Sequence, residues 1–188
     1  MDQKTVAPLV VTVLVALMGY FATYVNSVRL SQRKDRLERI DRQLREFYGP
    51  LYALTETAQR SWIAFRHQID RPTGSFWDAT PGPSNAEKAA WRLWMRHVLM
   101  PLNLRIESVL IEHADLLEGA EMPRCFLDLI AHIAAYKAVL KAWEDKDYSL
   151  HISIIDYPTE ANRYIKSAYL ELKTRQQELI GNRISADD

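Results

Sequence analysis

Residues 5–28 read TVAPLVVTVLVALMGYFATYVNSV and contain no Asp, Glu, Lys, Arg or His. A helix needs roughly 20 apolar residues to cross a bilayer, and this segment is long enough. A secretory signal would have a basic start, a shorter apolar core and an Ala-x-Ala-like cleavage site, and the sequence has none of these. We therefore predict an uncleaved transmembrane helix, with Pro8 in its first turn and Tyr20, Phe21 and Tyr24 near the far interface.

The chain is strongly basic just after this segment. Residues 29–45 hold seven Lys or Arg and three Asp or Glu, a formal charge of +4, whereas residues 46–188 have a formal charge of −4. The positive-inside rule places the large C-terminal part in the cytoplasm and the N-terminus outside. Bases beside a membrane attract anionic lipid headgroups. Four of them are predicted to lie at the membrane surface: Arg29, Arg33, Lys34 and Arg36.

A heptad pattern follows in the juxtamembrane stalk, residues 29–48. Apolar residues recur at alternating steps of three and four from residue 37 to residue 58, with one more a heptad earlier. The pattern predicts a helix that forms a homodimer, with packing against the chain's own helices as the alternative. The Gly49-Pro50 pair is expected to kink this helix, because proline lacks the backbone N–H and clashes with the preceding turn. The predicted self-association residues are Leu30, Leu37, Ile40 and Leu44.

The remaining residues, 49–181, predict an all-α fold, a cytoplasmic four-helix bundle with up-down-up-down connections. The first helix runs to about Gln68 and is followed by a Pro/Gly-rich loop, residues 70–84. The second helix begins with a capping box, Ser84-Asn85-Ala86-Glu87, and is expected to reach about Glu118.

Two more helices complete the predicted bundle, one starting at Pro123 and one at Thr159. In the connection between them, three aliphatic residues alternate, which predicts a short extended piece packed on the bundle. These residues are Leu150, Ile152 and Ile154. The last helix should end at Gly181, with a flexible tail over residues 182–188.

Motifs for enzymatic chemistry are missing from the sequence. None of the five histidines has an acidic residue three positions before it, so the Glu-x-x-His pattern of di-metal bundles is absent. Neither a Gly-rich phosphate loop nor a Gly-x-Ser-x-Gly elbow occurs. The only cysteine, Cys125, lies near a helix start, where a thiolate is favoured, but its neighbours Phe126 and Leu127 favour a buried hydrophobe. We expect no enzymatic activity, no catalytic residue, no metal and no other cofactor.

Two groups of residues are candidates for binding. Four aromatics predict a partner-binding surface, with core packing as the alternative: Phe76, Trp77, Trp91 and Trp94. The other group is a polar patch of His113, Asp128 and His132, in which Asp128 and His132 are four residues apart and can hydrogen-bond. It would be pH-sensitive or hold a ligand, and the alternative is histidines satisfied at the edge of a core.

One stretch also carries a resemblance. Residues 44–54, LREFYGPLYAL, follow a single membrane helix and resemble a group of bacterial single-pass membrane-anchored helical proteins that share the Phe-Tyr-Gly-Pro-Leu motif. Residues 91–103 and 113–117 are similar to later parts of the same group. The resemblance implies a location in the bacterial inner (plasma) membrane. It implies no activity and no functional residues.

Together these features predict a non-enzymatic, membrane-anchored cytoplasmic scaffold or signalling protein. Its expected partners are the lipid bilayer, an unidentified protein and a second copy bound through the stalk. The acidic C-terminal part argues against nucleic acid as a partner. The alternative function is a membrane-acting effector or sensor in a stress or phage-defence response.

Overall fold

The computed structural model describes residues 3–71, 73–119 and 121–184, and this part of the chain contains helices and no strand. Two π-helical segments, the first π-segment (Gln43–Tyr48) and the second π-segment (Met95–Leu99), each join two α-helices into one longer run. The predicted all-α fold is therefore confirmed. The α-helices of the described residues are α1 (Gln3–Arg42), α2 (Gly49–Gln68), α3 (Asn85–Trp94), α4 (Met100–Glu112), α5 (Arg124–Glu144) and α6 (Thr159–Ile184).

The chain divides into two compact units. The larger unit is Arg42–Arg175, and the smaller one combines the chain up to Asp41 with the chain from Gln176 onwards. Within the smaller unit, the Gln176 amide donates a hydrogen bond to Asp41 Oδ1 at 2.6 Å, and the Arg33 guanidinium donates to the carbonyl oxygen of Leu179. The last turns of α6 therefore pair with the end of α1.

The larger unit is the helical bundle. Helix α2 packs against α4, and α4 packs against α5. Helix α6 contacts α2 through the stacked rings of Tyr52 and Tyr169, 4.8 Å apart, and α5 through Phe126 and Tyr164, 5.1 Å apart. The core is built from residues with almost no exposure, which include Phe47, Leu51, Phe65, Ile106, Leu110, Leu129, Ile133, Trp143 and Ile165.

The predicted kink at Gly49-Pro50 is a site of π-helix, and a second proline within a helical run, Pro101, also lies next to a π-segment. The Gly49 N–H reaches back five residues to the Leu44 carbonyl, and the Met100 N–H reaches back five residues to the Met95 carbonyl. A proline follows each of these donors, and a wider turn just before it removes the clash between its ring and the preceding carbonyl. Glycine is required in the first case, because a Cβ at position 49 would lie 2.2 Å from the Leu44 carbonyl oxygen.

The predicted helix starts agree with the structure better than the predicted helix ends do. The capping box is confirmed, since Ser84 accepts from the Glu87 N–H at 3.3 Å and Glu87 accepts from the Ser84 N–H at 2.7 Å. The second predicted helix ends at Glu112 and not at Glu118, because the chain turns there to bury Leu116 and Leu117.

The C-terminal end of the last helix also differs from the prediction. Helix α6 continues through Gly181 to Ile184, so the predicted end at Gly181 is wrong. A glycine inside a helix costs about 1 kcal/mol relative to alanine but does not by itself end the helix. The rest of the predicted tail, residues 185–188, lies outside the described residues.

The predicted membrane segment, residues 5–28, lies in α1, and the side chains of its residues 5–13 fall outside the described part of the structure. Among the residues that are described, no helix has a run long and apolar enough to cross a membrane. The large apolar side chains from Leu14 to Tyr24 are 53–73% exposed.

The self-association residues do not share one environment. Leu30 is 66% exposed, and Leu37 and Ile40 are half-buried. Leu44 is 9% exposed and belongs to the core of the larger unit, so it cannot lie on a dimer surface as predicted. The apolar pattern from Leu44 onwards is explained by packing within the chain, which was the alternative.

Candidate functional site

A cavity of about 680 Å³ opens in the larger unit between α2, the α3–α4 run, α5 and the start of α6. This volume is typical of small-molecule sites, which span roughly 300–1,000 Å³. Its wall is mainly aromatic and aliphatic, with a few polar side chains. The lining residues are Ala58, Gln59, Trp62, Trp91, Met95, Leu99, Asn103, His132, Tyr136, Tyr157, Thr159, Asn162 and Arg163.

The aromatic part of the wall is held rigidly. Trp62 of α2 and Trp91 of α3 meet edge to face with ring centroids 5.4 Å apart. The Trp91 indole N–H donates to the carbonyl oxygen of His151 at 2.9 Å. Trp91 is 5% exposed and Tyr136 is 4% exposed, so both rings are fixed by packing.

His132 brings an imidazole into this wall from α5. Its Nδ1 lies 2.6 Å from the carbonyl oxygen of Ile155. A carbonyl can only accept, so Nδ1 carries the proton and Nε2 of the neutral ring is an acceptor. Burial lowers the pKa of His132 and outweighs the backbone of Ile155, the charge of the Asp156 carboxylate and the backbone of Asp156, all of which favour the charged form. The ring is therefore neutral near pH 7.

Asn103 is the second buried polar group of the wall. It is 5% exposed, and its amide has no hydrogen-bond partner among the described residues. In the described part of the chain, every completely buried side-chain nitrogen or oxygen has a partner. The unpaired amide of Asn103 and the unpaired Nε2 of His132 are therefore not completely buried, and both residues line the cavity.

The mouth of the cavity carries the charge. Arg163 is 76% exposed and lies 3.7 Å from Glu160. Just inside, the Tyr157 hydroxyl donates to Asn162 Oδ1 at 2.7 Å. Charged groups are thus confined to solvent, while the interior offers neutral polar groups.

Residues 145–158, which we call the strap, pass over the bundle and close one side of the cavity. The Trp143 indole N–H donates to the Leu150 carbonyl at 2.7 Å, and the Ser153 hydroxyl donates to the His132 carbonyl at 3.4 Å. Together with the bonds from Trp91 and His132, these contacts fix the strap by its backbone.

The alternating residues of the strap that were predicted to be buried are exposed. Leu150, Ile152 and Ile154, expected to face the bundle, are 44%, 40% and 89% exposed. Ser153 is buried instead, and no strand forms in these described residues. The indole and imidazole N–H groups of the bundle need acceptors when they are buried, and the strap carbonyls supply them.

The hydrogen bond predicted between Asp128 and His132 in the polar patch does not form. His132 bonds to Ile155 and not to Asp128, which lies 3.9 Å from Arg124 and is half exposed. His113 ends α4 and lies near Glu46, whose pKa is lowered chiefly by its hydrogen bond from Arg45 and in small part by His113. Of the three, only His132 lines the cavity.

The predicted partner-binding aromatics form a cluster with α2. Phe76 is 3% exposed and contacts Phe65 at 5.7 Å, so the expectation that it would be an exposed anchor is wrong. The loop that carries it is held by Arg66, which donates to the carbonyls of Thr73 and Gly74 at 2.7 and 3.0 Å.

The predicted partner-binding residues Trp91 and Trp94 lie in helix α3. Trp91 lines the cavity, and the ring of Trp94 lies 5.8 Å from that of Phe65. A role of these residues in binding a partner stays a prediction.

The other candidate groups have ordinary surroundings. Burial raises the pKa of Cys125, so the thiol is not activated. Arg29, Lys34 and Arg36 are exposed, and Arg33 binds the Leu179 carbonyl. Within the described ranges, no three His, Cys, Asp or Glu side chains lie close enough together to hold a metal ion.

Comparison with known proteins gives no relative: no family model, no curated protein and no solved structure matches the chain. The resemblance of residues 44–54 to a bacterial membrane-anchored group therefore stays a prediction.

The sequence indicated His132 as a candidate site residue. It did not indicate that Asn103, Tyr136 and Tyr157 belong to the same site. A signal for Asn103 was present, because it falls in the helical stripe of Met95, Leu99, Ile106 and Leu110, where every other member is apolar and buried. A polar residue within a buried stripe is more informative than any exposed one.

Proposed function

We propose that this chain is a non-enzymatic, membrane-anchored signalling protein whose cytoplasmic helical unit senses a small molecule. The observation that carries the proposal is the cavity, in which the buried side chains of Asn103 and His132 offer hydrogen-bonding groups that no described residue uses. A mostly apolar cavity with a few converging polar groups is the usual form of a small-molecule site.

The anchor in this proposal is residues 5–28. The large apolar side chains that are described in this segment are more than half exposed to solvent, from Leu14 to Tyr24. A helix that is apolar on all sides needs an apolar environment, which a bilayer provides. The exposed bases Arg29, Lys34 and Arg36 follow at once and suit anionic headgroups.

The non-enzymatic part of the proposal is supported by the state of the reactive groups. The Nδ1 proton of His132 is held by a carbonyl, the Cys125 thiol has a raised pKa, and the carboxylate of Asp128 lies at the surface beside Arg124. Catalytic sites instead bring a nucleophile, a base and a charge-stabilising group within hydrogen-bond reach of one another. The alternative function predicted from the sequence was a membrane-acting effector or sensor. The proposed function keeps the sensing role of that alternative.

Ligand sensing can be tested by filling the cavity. Ala58 lines the cavity from α2, and an Ala58→Phe substitution places a ring in the space that a ligand would occupy. Ala53 lies on the same helix and is exposed, so Ala53→Phe is the matched control. We expect a small-molecule extract of the host cells to raise the unfolding temperature of the wild type and of Ala53→Phe, but not of Ala58→Phe. Equal shifts in all three proteins, or none in the wild type, would remove the sensing proposal.

The anchor has a separate test. After carbonate extraction, the full chain should stay with the membranes, and a chain that starts at Arg29 should be released. Protease added outside intact spheroplasts should leave the helical unit uncut, and cutting it only after lysis agrees with a cytoplasmic location. Release of the full chain by carbonate, or digestion of the helical unit from outside, would contradict the anchored arrangement.

A further inference from the structure

We propose that the ligand of the cavity is an uncharged, mainly aromatic compound with a hydroxyl group, which donates a hydrogen bond to Nε2 of His132. This inference rests on the proposed sensing function and names the chemical class that the cavity selects.

The aromatic character follows from the wall. Four rings line the cavity, from Trp62, Trp91, Tyr136 and Tyr157. Rings attract other rings in edge-to-face and offset geometries. Met95 and Leu99 complete the apolar wall, and a methionine sulfur also favours contact with a ring. A ring system therefore gains more from this wall than a polar chain of the same size.

The hydroxyl follows from the tautomer of His132. The ring cannot turn to present an N–H to the ligand without losing the 2.6 Å bond from Nδ1 to the Ile155 carbonyl. Nε2 is therefore held as an acceptor, and the complementary ligand group is a donor. Tyr136 and Tyr157 pack edge to face with the imidazole at 5.2 and 5.3 Å, and His132 is only 7% exposed, so a ligand hydroxyl would bond to it in surroundings with little water, where a hydrogen bond is stronger.

The positions of the charged side chains indicate that the ligand is uncharged. Among the described lining residues Arg163 alone is charged, and it is at the mouth, exposed and beside Glu160. A carboxylate or ammonium in the interior would lose its hydration without gaining a partner ion. The free amide of Asn103 can instead donate to the hydroxyl oxygen or bind a second neutral polar group of the ligand.

The test uses three fluorinated probes of similar shape: 4-fluorobiphenyl, 4′-fluoro-4-hydroxybiphenyl and 4′-fluorobiphenyl-4-carboxylate. Each is titrated by ¹⁹F NMR against the full chain in lipid nanodiscs, with empty nanodiscs as the blank for partition into lipid. We expect the hydroxylated probe to bind roughly tenfold more tightly than the parent biphenyl, the effect of one well-formed hydrogen bond, and the carboxylate to bind more weakly than both.

Three variants test which protein atoms cause the preference for the hydroxylated probe. His132→Asn keeps an N–H for the Ile155 carbonyl but removes Nε2, so the hydroxylated probe should lose most of its advantage over the parent biphenyl. Asn103→Leu keeps the branched shape of the side chain but removes the amide, and should weaken the hydroxylated probe alone. Gln68→Leu changes an exposed residue of α2 that does not line the cavity and should leave all affinities within about twofold, since no buried polar group is lost.

The outcomes separate this inference from the proposed function. If the wild type binds both neutral probes equally, or binds the carboxylate best, the ligand class is wrong although the cavity still binds. If no probe binds but the cell extract stabilises the wild type and not Ala58→Phe, the ligand class is again wrong and sensing stands. If neither the probes nor the extract has an effect, both proposals fall.

Discussion

Nδ1 of His132 on α5 lies 2.6 Å from the carbonyl oxygen of Ile155, and this hydrogen bond connects the bundle to the strap. It fixes which imidazole nitrogen carries the proton, and it therefore determines that Nε2 is the acceptor in the cavity. The same residue thus fastens the strap beside the cavity and, in our proposal, binds the ligand.

The first prediction concerns the stability of the ligand-free protein. Asn103→Leu should not lower the free energy of unfolding and should raise it by up to about 1 kcal/mol, because no protein hydrogen bond is lost and the new side chain prefers the apolar wall. Denaturant unfolding of the full chain in mild detergent, followed by tryptophan fluorescence, measures this change.

Asn162→Leu is the matched control for this substitution. Asn162 Oδ1 accepts from the Tyr157 hydroxyl at 2.7 Å, so its removal leaves a donor unpaired and should lower stability. If Asn103→Leu destabilises the protein as much as Asn162→Leu does, the Asn103 amide has a structural partner and not a ligand-binding role.

The second prediction is a loss of stability between pH 7 and pH 5.5. The pKa of His132 is lowered in the folded chain by burial, while in the unfolded chain it is near the ordinary value of 6.5. As the pH falls below 6.5, the unfolded state takes up a proton that the folded state does not, so the free energy of unfolding decreases. His151 also has a lowered pKa and acts in the same direction.

Carboxylates with lowered pKa do not interfere in this pH window. Glu87, whose pKa is lowered to about 2 mainly by bonds from the Ser84 backbone, titrates well below it. His132→Asn should flatten the decrease, and His151→Asn should reduce it less, because that ring is only half-buried. A slope in His132→Asn equal to that of the wild type would contradict the assignment of a neutral buried imidazole.

Helix propensity and capping could be inferred from neighbouring residues, so the capping box of Ser84 and the end of α2 at Gln68 were predictable. The strap was not, because its position is set by N–H groups of Trp91 and His132, which lie 60 and 23 residues away from their acceptors. Alternation along the strap predicted which residues differ in burial but not which set is buried.

The same limitation explains the polar patch and the aromatic cluster. A spacing of four residues places Asp128 and His132 on one helix face, but a carbonyl from another segment binds the imidazole first. Phe76 lies in a Pro/Gly-rich loop, which the sequence predicts to be exposed. It is buried because Arg66 of α2 donates hydrogen bonds to backbone carbonyls of that loop and holds it against the helix. Long-range acceptors of this kind leave no local pattern in the sequence.

The third prediction concerns Gly49 in the first π-segment's cap. Gly49→Ala should destabilise the bundle by more than about 2 kcal/mol, because the new Cβ would lie 2.2 Å from the Leu44 backbone oxygen, which cannot move without opening the helix. Thermal unfolding by circular dichroism is the measurement.

The control for Gly49→Ala is Gly181→Ala in α6. A Cβ at position 181 meets no atom within 4 Å, so this change should raise stability by up to about 1 kcal/mol through helix propensity. Equal effects of the two substitutions would mean that the close approach at Gly49 does not exist in solution.

The fourth prediction separates self-association from folding in the stalk. Leu37→Glu should reduce crosslinked dimer in membranes and leave the unfolding temperature of the larger unit unchanged, because Leu37 belongs to the smaller unit and is half-buried. Leu44→Glu should lower the unfolding temperature instead, since its side chain is 9% exposed in the core. A dimer fraction that Leu37→Glu does not change would contradict the stalk dimer predicted from the heptad pattern.

The most direct measurement of the sensing site is the ¹⁵N spectrum of the imidazole of His132 in the full chain, recorded with and without 4′-fluoro-4-hydroxybiphenyl. We expect a neutral ring protonated at Nδ1 in both samples, and an Nε2 resonance that moves on addition of the probe as a hydrogen bond forms. A ring protonated at Nε2, or an Nε2 resonance that does not move at saturating probe, would contradict this expectation.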